Sequence, residues 1–174
     1  MPRCRNCKNK FEPVRFNAKY CLNKMCVDAW VQEAKVKNWQ KKKKAMQQDL
    51  ETVQDLVKAA QLVFNKFIRL RDKDELCISC GKKINGVKHA SHYLSAGGHS
   101  AVRYNEDNVW VSCYKCNVML SGNQIEYRKR LIQKIGVERV EWLENNGNIV
   151  KKWTKEELKL LITEYKKKTK QLEK

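Results

Sequence analysis

A chain of 174 residues has room for one sizeable core or two small ones, which excludes a large multidomain enzyme. Its 37 lysines and arginines face 19 acids, and the formal charge of +18 points to a polyanionic partner, nucleic acid before an anionic membrane surface. No apolar run approaches the ~20 residues of a membrane span, and the opening MPRCRNC lacks the apolar centre of a signal peptide, so no membrane partner and a cytoplasmic location are expected.

Residues 1–26 hold the first of two cysteine sets, Cys4-x2-Cys7 with Cys21-x4-Cys26. The second set is Cys77-x2-Cys80 with Cys113-x2-Cys116. A reducing compartment disfavours disulfides, and two close pairs let two tight turns offer four thiolates tetrahedrally to one Zn²⁺. Two structural zinc sites are therefore expected, against the plainer readings of scattered buried cysteines or a redox pair. The first set reads as a small treble-clef or ribbon-like knuckle, too short to fold on apolar burial alone.

Residues 27–75 form a basic helical region, one long helix or two in series, since no glycine or proline occurs from Val14 to Cys80. Its first part, KVKNWQKKKK, is polar on every face. Its second part places Met46, Leu50, Val53, Val57, Ala60, Phe64 and Phe67 on a 3.5-residue seam that asks for a partner helix. That partner is either the C-terminal helix or a second copy of the chain, which would make a homodimer.

Residues 76–136 follow a different pattern. Gly81 ends the first CxxC, where a tight turn needs positive φ. Strand-like runs at 87–94 and 109–112 flank a loop with Gly97 and Gly98, and a helical pattern follows Cys116. In residues 137–174 a short helix covers Val137 to Glu144. Thr154 and Glu157 then form a capping box for a last helix bearing Leu158, Ile162, Tyr165 and Leu172.

Two strands and a helix stapled by cysteine pairs outline a ββα-metal element, in which zinc braces the frame and other side chains do the chemistry. His92 closes the first strand, and a neutral imidazole suits proton removal from water near pH 7. Asn108 precedes the second strand and can both donate and accept, pinning the loop that positions His92. Asn117 follows Cys116, and its carbonyl oxygen suits a hard divalent cation such as Mg²⁺. The order His92, Asn108, Asn117 reads as H-N-N, a variant of the H-N-H nuclease signature. Arg103 is the candidate phosphate clamp, and Lys41, Lys42, Lys43 and Lys44 fit tracking of a DNA backbone. Each has a plainer reading: a structural histidine, turn-forming asparagines, lysines that merely solvate a helix. His99 reads as a loop residue.

The segments CRNCKNKFEP, YCLNKMC, FNKFIRLRD, CISCG, ASHYLSAGG, VRYNEDN, CYKCN, LSGNQIEYR and KIGVERVEWLE carry a resemblance to the phage lambda NinG (Rap) recombination protein family, from Cys4 nearly to the C-terminus. The resemblance implies an HNH-like nuclease acting on branched DNA such as Holliday junctions or D-loops, with Mg²⁺ or Mn²⁺, in the host cytoplasm. One departure stands out: the family usually reads Asp-Ala-Gly-His where this chain has His89-Ala90-Ser91-His92. His89 is then the candidate second metal ligand, and a shift toward imidazole-tolerant ions such as Mn²⁺ would follow.

The expected fold is a mostly helical α+β chain: zinc knuckle (1–26), basic and heptad helical region (27–75), HNH-like ββα-metal core (76–136) and C-terminal helices packing on or extending that core (137–174). The expected function is a structure-selective, metal-dependent DNA endonuclease. The rivals are a non-catalytic zinc-containing recombination adaptor and an HNH restriction or homing enzyme.

Overall fold

The CxxC turns that begin at Cys4 and Cys77 close by the same backbone bonds. In the first, Lys8 N–H donates to Cys4 O (2.9 Å) and Cys4 N–H to Asn9 O (2.8 Å); in the second, Gly81 N–H donates to Cys77 O (2.7 Å) and Cys77 N–H to Lys82 O (3.0 Å). The residue after each second cysteine must turn left-handed, with φ of 61° at Lys8 and 68° at Gly81. Glycine does this without strain, whereas a lysine holds it at a cost of roughly 1 kcal/mol.

The computed structural model describes residues 1–173, apart from the side chains of Gln48 and Asp49, and divides into two compact units, Met1–Glu51 and Thr52–Lys174. In the first, a lone bridge pairs Arg3 with Lys10, and the Asn23 side chain accepts from Met25 N–H to start α1 (Lys24–Leu50). The apolar residues of α1 gather on no single face, as KVKNWQKKKK predicts for a solvated helix.

α1 and α2 (Val53–Arg71) are helices in series, and the knuckle shares a unit with the basic helix rather than standing alone. Glu51 is extended, and Thr52 caps α2 in a reciprocal box with Asp55. This break cuts the heptad seam: Met46, Leu50 and Val53 are exposed, while Leu56, Ala60, Phe64, Phe67 and Ile68 form the buried stripe. α5 (Lys155–Leu172), capped by Thr154 with Glu157 as the sequence predicts, covers that stripe from within the chain. Tyr165 meets Phe64 edge-on at 4.8 Å between ring centroids. Each such large apolar side chain, fully buried, contributes about 1.5–3 kcal/mol.

Strands β1 (His89–His92) and β2 (Val109–Ser112) pair antiparallel, with His89 opposite Ser112 and His92 opposite Val109. Side chains alternate across such a ladder. Ala90 and Val109 meet the α2–α5 cluster. On the other face Trp110 packs against the cluster of Tyr93, Tyr127, Leu131, Val140 and Leu143, which draws on α3 (Gln124–Ile135) and α4 (Val137–Gly147). Val111 joins Cys77, Ile84 and Cys116 in a third cluster. The hairpin is thus filled on both faces, which holds its ends in place.

A polar clamp fixes it lengthwise. Arg71 at the end of α2 forks onto the buried Asp72 carboxylate (2.6 and 3.0 Å) and donates to Val109 O (2.9 Å) and Glu106 O (3.1 Å). Asp72 accepts Val111 N–H at 3.2 Å. Among the described residues, no helix is long and apolar enough to cross a membrane.

Candidate functional site

The eight cysteines fall into the two predicted tetrads, with all four sulfur atoms of each within 4.8 Å of one another. Cys7 Sγ and Cys21 Sγ are 3.8 Å apart, and Cys80 Sγ and Cys113 Sγ 4.0 Å. A tetrahedron built on ~2.3 Å Zn–S bonds has edges of about 3.8 Å. Backbone N–H groups of Cys21 and Cys113 point at Cys4 Sγ and Cys77 Sγ, each at 3.4 Å. Burial opposes ionisation of Cys4, yet its backbone donors win and draw it down to about 6; Cys77 falls to about 7 in the same way. Crowded thiols cannot all ionise together. Cys21, despite a backbone bond from Asn23, is pushed up to about 12 by Cys26, and Cys116 reaches about 12 through burial and its cysteine neighbours. A divalent cation resolves this competition by taking all four as thiolates, and the donors and spacing of both tetrads could hold Zn²⁺.

Between β1 and β2 the chain folds into a loop around Asn108, which is fully buried in the short 3₁₀ turn Glu106–Asn108. Its Oδ1 accepts Leu94 N–H (2.8 Å), and its Nδ2 donates to Leu94 O and Val102 O (3.0 Å each). Its own carbonyl accepts Tyr93 N–H at 2.8 Å. One side chain therefore closes the loop that begins directly after His92.

His92 Nε2 lies 3.1 Å from Arg103 O. A carbonyl only accepts, so Nε2 carries the proton and Nδ1 keeps its lone pair. Burial lowers the histidine to about 4, outweighing the Arg103 carbonyl bond that favours protonation, so the ring is neutral at pH 7. Arg103 donates from Nε to Ala96 O (2.6 Å), which ties part of its guanidinium to the loop. His99 is bound through Nδ1 to Gly147 O at 3.0 Å, a loop-fastening role.

Asn117 lies in a π-helical turn, Lys115–Met119, its N–H bonded to Cys113 O at 3.0 Å. His89 is three residues from His92 on a regularly paired strand, so the two rings leave opposite faces of the hairpin. The His89 ring instead lies 5.8 Å from that of Tyr114. Among the described residues, the cysteine tetrads are the only places where three or more His, Cys, Asp or Glu ligand atoms converge. Lys41 to Lys44 are exposed on α1, in the first unit.

A family described as "Bacteriophage Lambda NinG protein" matches residues 1–174. The chain belongs to that family. It is 42% identical over 116 residues to Protein ninG of Escherichia phage lambda, covering 67% of this chain and 56% of the relative. Protein ninG of Escherichia phage 933W is 40% identical over the same length, with 57% of it covered, and that of Salmonella phage P22 is 39% identical, again with 57% covered. The chain spans little more than half the length of these NinG relatives. No solved structure matches it.

Two positioning devices of this NinG-family chain escape a sequence reading. The Arg71–Asp72 clamp looks like two charges at a helix end, and only its long-range partners reveal it. Arg128 forks onto Glu144 (2.7 and 3.0 Å), which also accepts the Tyr93 hydroxyl, fastening the residue beside His92 to α3 and α4. The periodicity of α3 and α4 places these residues on facing helices, but no spacing rule pairs them.

The low value at His92 has a measurable consequence. As pH falls below the ordinary 6.5, the unfolded chain binds a proton that the folded ring refuses until about 4. Folding stability is therefore expected to decline from about pH 6.5 to about pH 4, by at most ~1.4 kcal/mol per pH unit. Urea titrations of the wild type and His92→Gln across this range isolate the effect; equal slopes in the two proteins would contradict it.

Proposed function

We propose that this protein is a structure-selective, divalent-metal-dependent DNA endonuclease of phage recombination, acting on branched intermediates such as Holliday junctions and D-loops. The observation that carries the reading is the pairing of a half-buried, neutral His92, its Nδ1 free of the Arg103 bond, with the loop that Asn108 closes immediately behind it. In this reading His92 takes a proton from the water that attacks the scissile phosphate, and Asn108 keeps the loop in register. Arg103 has guanidinium N–H groups beyond its Nε bond for a neighbouring phosphate.

The amide oxygen of Asn117, a hard neutral donor, fits a Mg²⁺ or Mn²⁺ ion held chiefly by water and phosphate oxygens. Bound there, the ion supplies charge neutralisation at the departing 3′-oxygen. His89 is the weaker partner, since it leaves the other face of the hairpin from His92. The two zinc tetrads brace the frame, and the charge of +18 supplies affinity without base preference.

The reading of a non-catalytic, zinc-containing DNA-binding adaptor draws support from the absence, among the described residues, of a third convergent set of metal ligands. Cleavage of a four-way junction beside a matched linear duplex, with Mg²⁺ and Mn²⁺ titrated, separates the two. Metal-dependent junction cutting is expected, and His92→Ala is expected to lose about 10²–10⁴-fold in cleavage rate with junction affinity unchanged. Tight binding without cutting by the wild type would establish the adaptor instead.

A further inference from the structure

The first unit contains a cavity of about 600 Å³ between the cysteine knuckle and α1, and the nuclease reading makes no use of it. Its size is that of a small-ligand site. Phe11, Tyr20 and Trp30 give it aromatic walls. Trp30 remains 44% exposed, so part of its indole is reachable from solvent. Tyr20 is locked in place by its hydroxyl bond to Glu33, and the Arg15 guanidinium stands 5.7 Å from the Trp30 ring centroid.

The rim is cationic: Arg5, Arg15, Lys19 and Lys37 line the cavity against two carboxylates, Glu12 and Glu33. Glu33 is neutralised in place by Arg5, Lys37 and Tyr20. Along α1, Trp30, Ala34, Lys37, Lys41 and Lys44 recur at steps of 4, 3, 4 and 3, which is one helix face. At 1.5 Å rise per residue, the three lysines stand about 4.5–6 Å apart along the axis, a row leading away from the aromatic walls.

An aromatic slot entered from a row of cations matches one chemistry: a nucleic-acid strand whose bases are free of a partner. A duplex presents phosphates and base edges, whereas stacking on an enclosed ring needs a base outside the helix. We infer that this cleft takes an unpaired DNA base against Trp30, while the phosphates of its strand run along Lys41 and Lys44, beyond the Lys37–Glu33 ion pair. The inference rests on DNA being the partner, as the proposed function holds, but not on cleavage. It gives the chain a means to find unpaired positions at a branch independently of the hairpin residues.

The test uses the zinc-loaded 174-residue chain without added Mg²⁺ or Mn²⁺, and fluorescence anisotropy of two labelled dodecamers with equal phosphate number, one of thymidines and one of abasic sites. The thymidine strand is expected to bind about 5- to 150-fold more tightly, the factor that stacking of one base supplies. Trp30→Ala is expected to abolish that ratio, and Trp30→Phe to retain most of it. Full zinc content and unchanged helical circular dichroism in Trp30→Ala, together with the ratio kept by Trp30→Phe, separate loss of the ring from loss of structure. Equal affinity for both strands, or a preference that survives Trp30→Ala, overturns the inference and leaves the cavity to an apolar side chain of a protein partner. A protein that cuts junctions yet treats both strands alike fails this test alone; one that discriminates them but cuts nothing fails only the nuclease reading.

Discussion

Replacing Asn108 by alanine is expected to destabilise the second unit by about 3–5 kcal/mol and, under the proposed function, to lower junction cleavage at least 100-fold. The substitution strands Leu94 N–H, Leu94 O and Val102 O, three backbone groups now satisfied by one fully buried amide. Each unsatisfied group costs about 1–3 kcal/mol, and the cavity adds to that. Asn108→Asp is the sharper version. It keeps an acceptor for Leu94 N–H but turns lone pairs, or a buried charge, toward two carbonyls, so it is expected to rescue nothing. Urea unfolding measures the stability, and amide exchange across 93–108 reports whether the loop opens ahead of the rest. A variant with native stability and a protected loop would show that Asn108 does not hold it.

Zinc removal is expected to act unequally on the two units. In the first, Cys4 and Cys26 are the only buried apolar side chains among the described residues, so a zinc ion in the tetrad would take the place of a core. With structural zinc worth roughly 10–16 kcal/mol in such modules, a chelator at pH 7 should unfold residues 1–26 outright. In the second unit the tetrad anchors the hairpin, but Leu56, Phe64, Phe67, Ile68, Leu158 and Tyr165 form a separate cluster. The α2–α5 pair should therefore survive with a loosened hairpin, visible as retained helical circular dichroism and lost dispersion of the 77–117 amide resonances. Uniform survival of both units in chelator would contradict this assignment of the tetrads.

Much of this was legible because short-range chemistry is local in sequence. Paired cysteines, the left-handed residue after CISC and the Thr154–Glu157 box each depend on neighbours a few positions away. Two helices in series was one of the two sequence readings, but the position of the break is hidden: Thr52 and Asp55 carry the signal, and a heptad count running through Val53 masks it. The opposite facing of His89 and His92 follows from strand parity alone once residues 89–92 are assigned to a strand. The clamp of Arg71 on Glu106 and Val109 was beyond reach, since these partners lie 35 and 38 residues away and no period relates them.

The short extended joint at Glu51 and Thr52 has a consequence for affinity. If both units grip DNA, as the proposed function holds, two weak contacts joined by so few non-helical residues would act as a tethered pair: once either has hold, the other meets the same molecule at an effective concentration that reaches the millimolar range for short linkers. Modest separate contacts thereby multiply into retention, provided one DNA molecule can engage both at once.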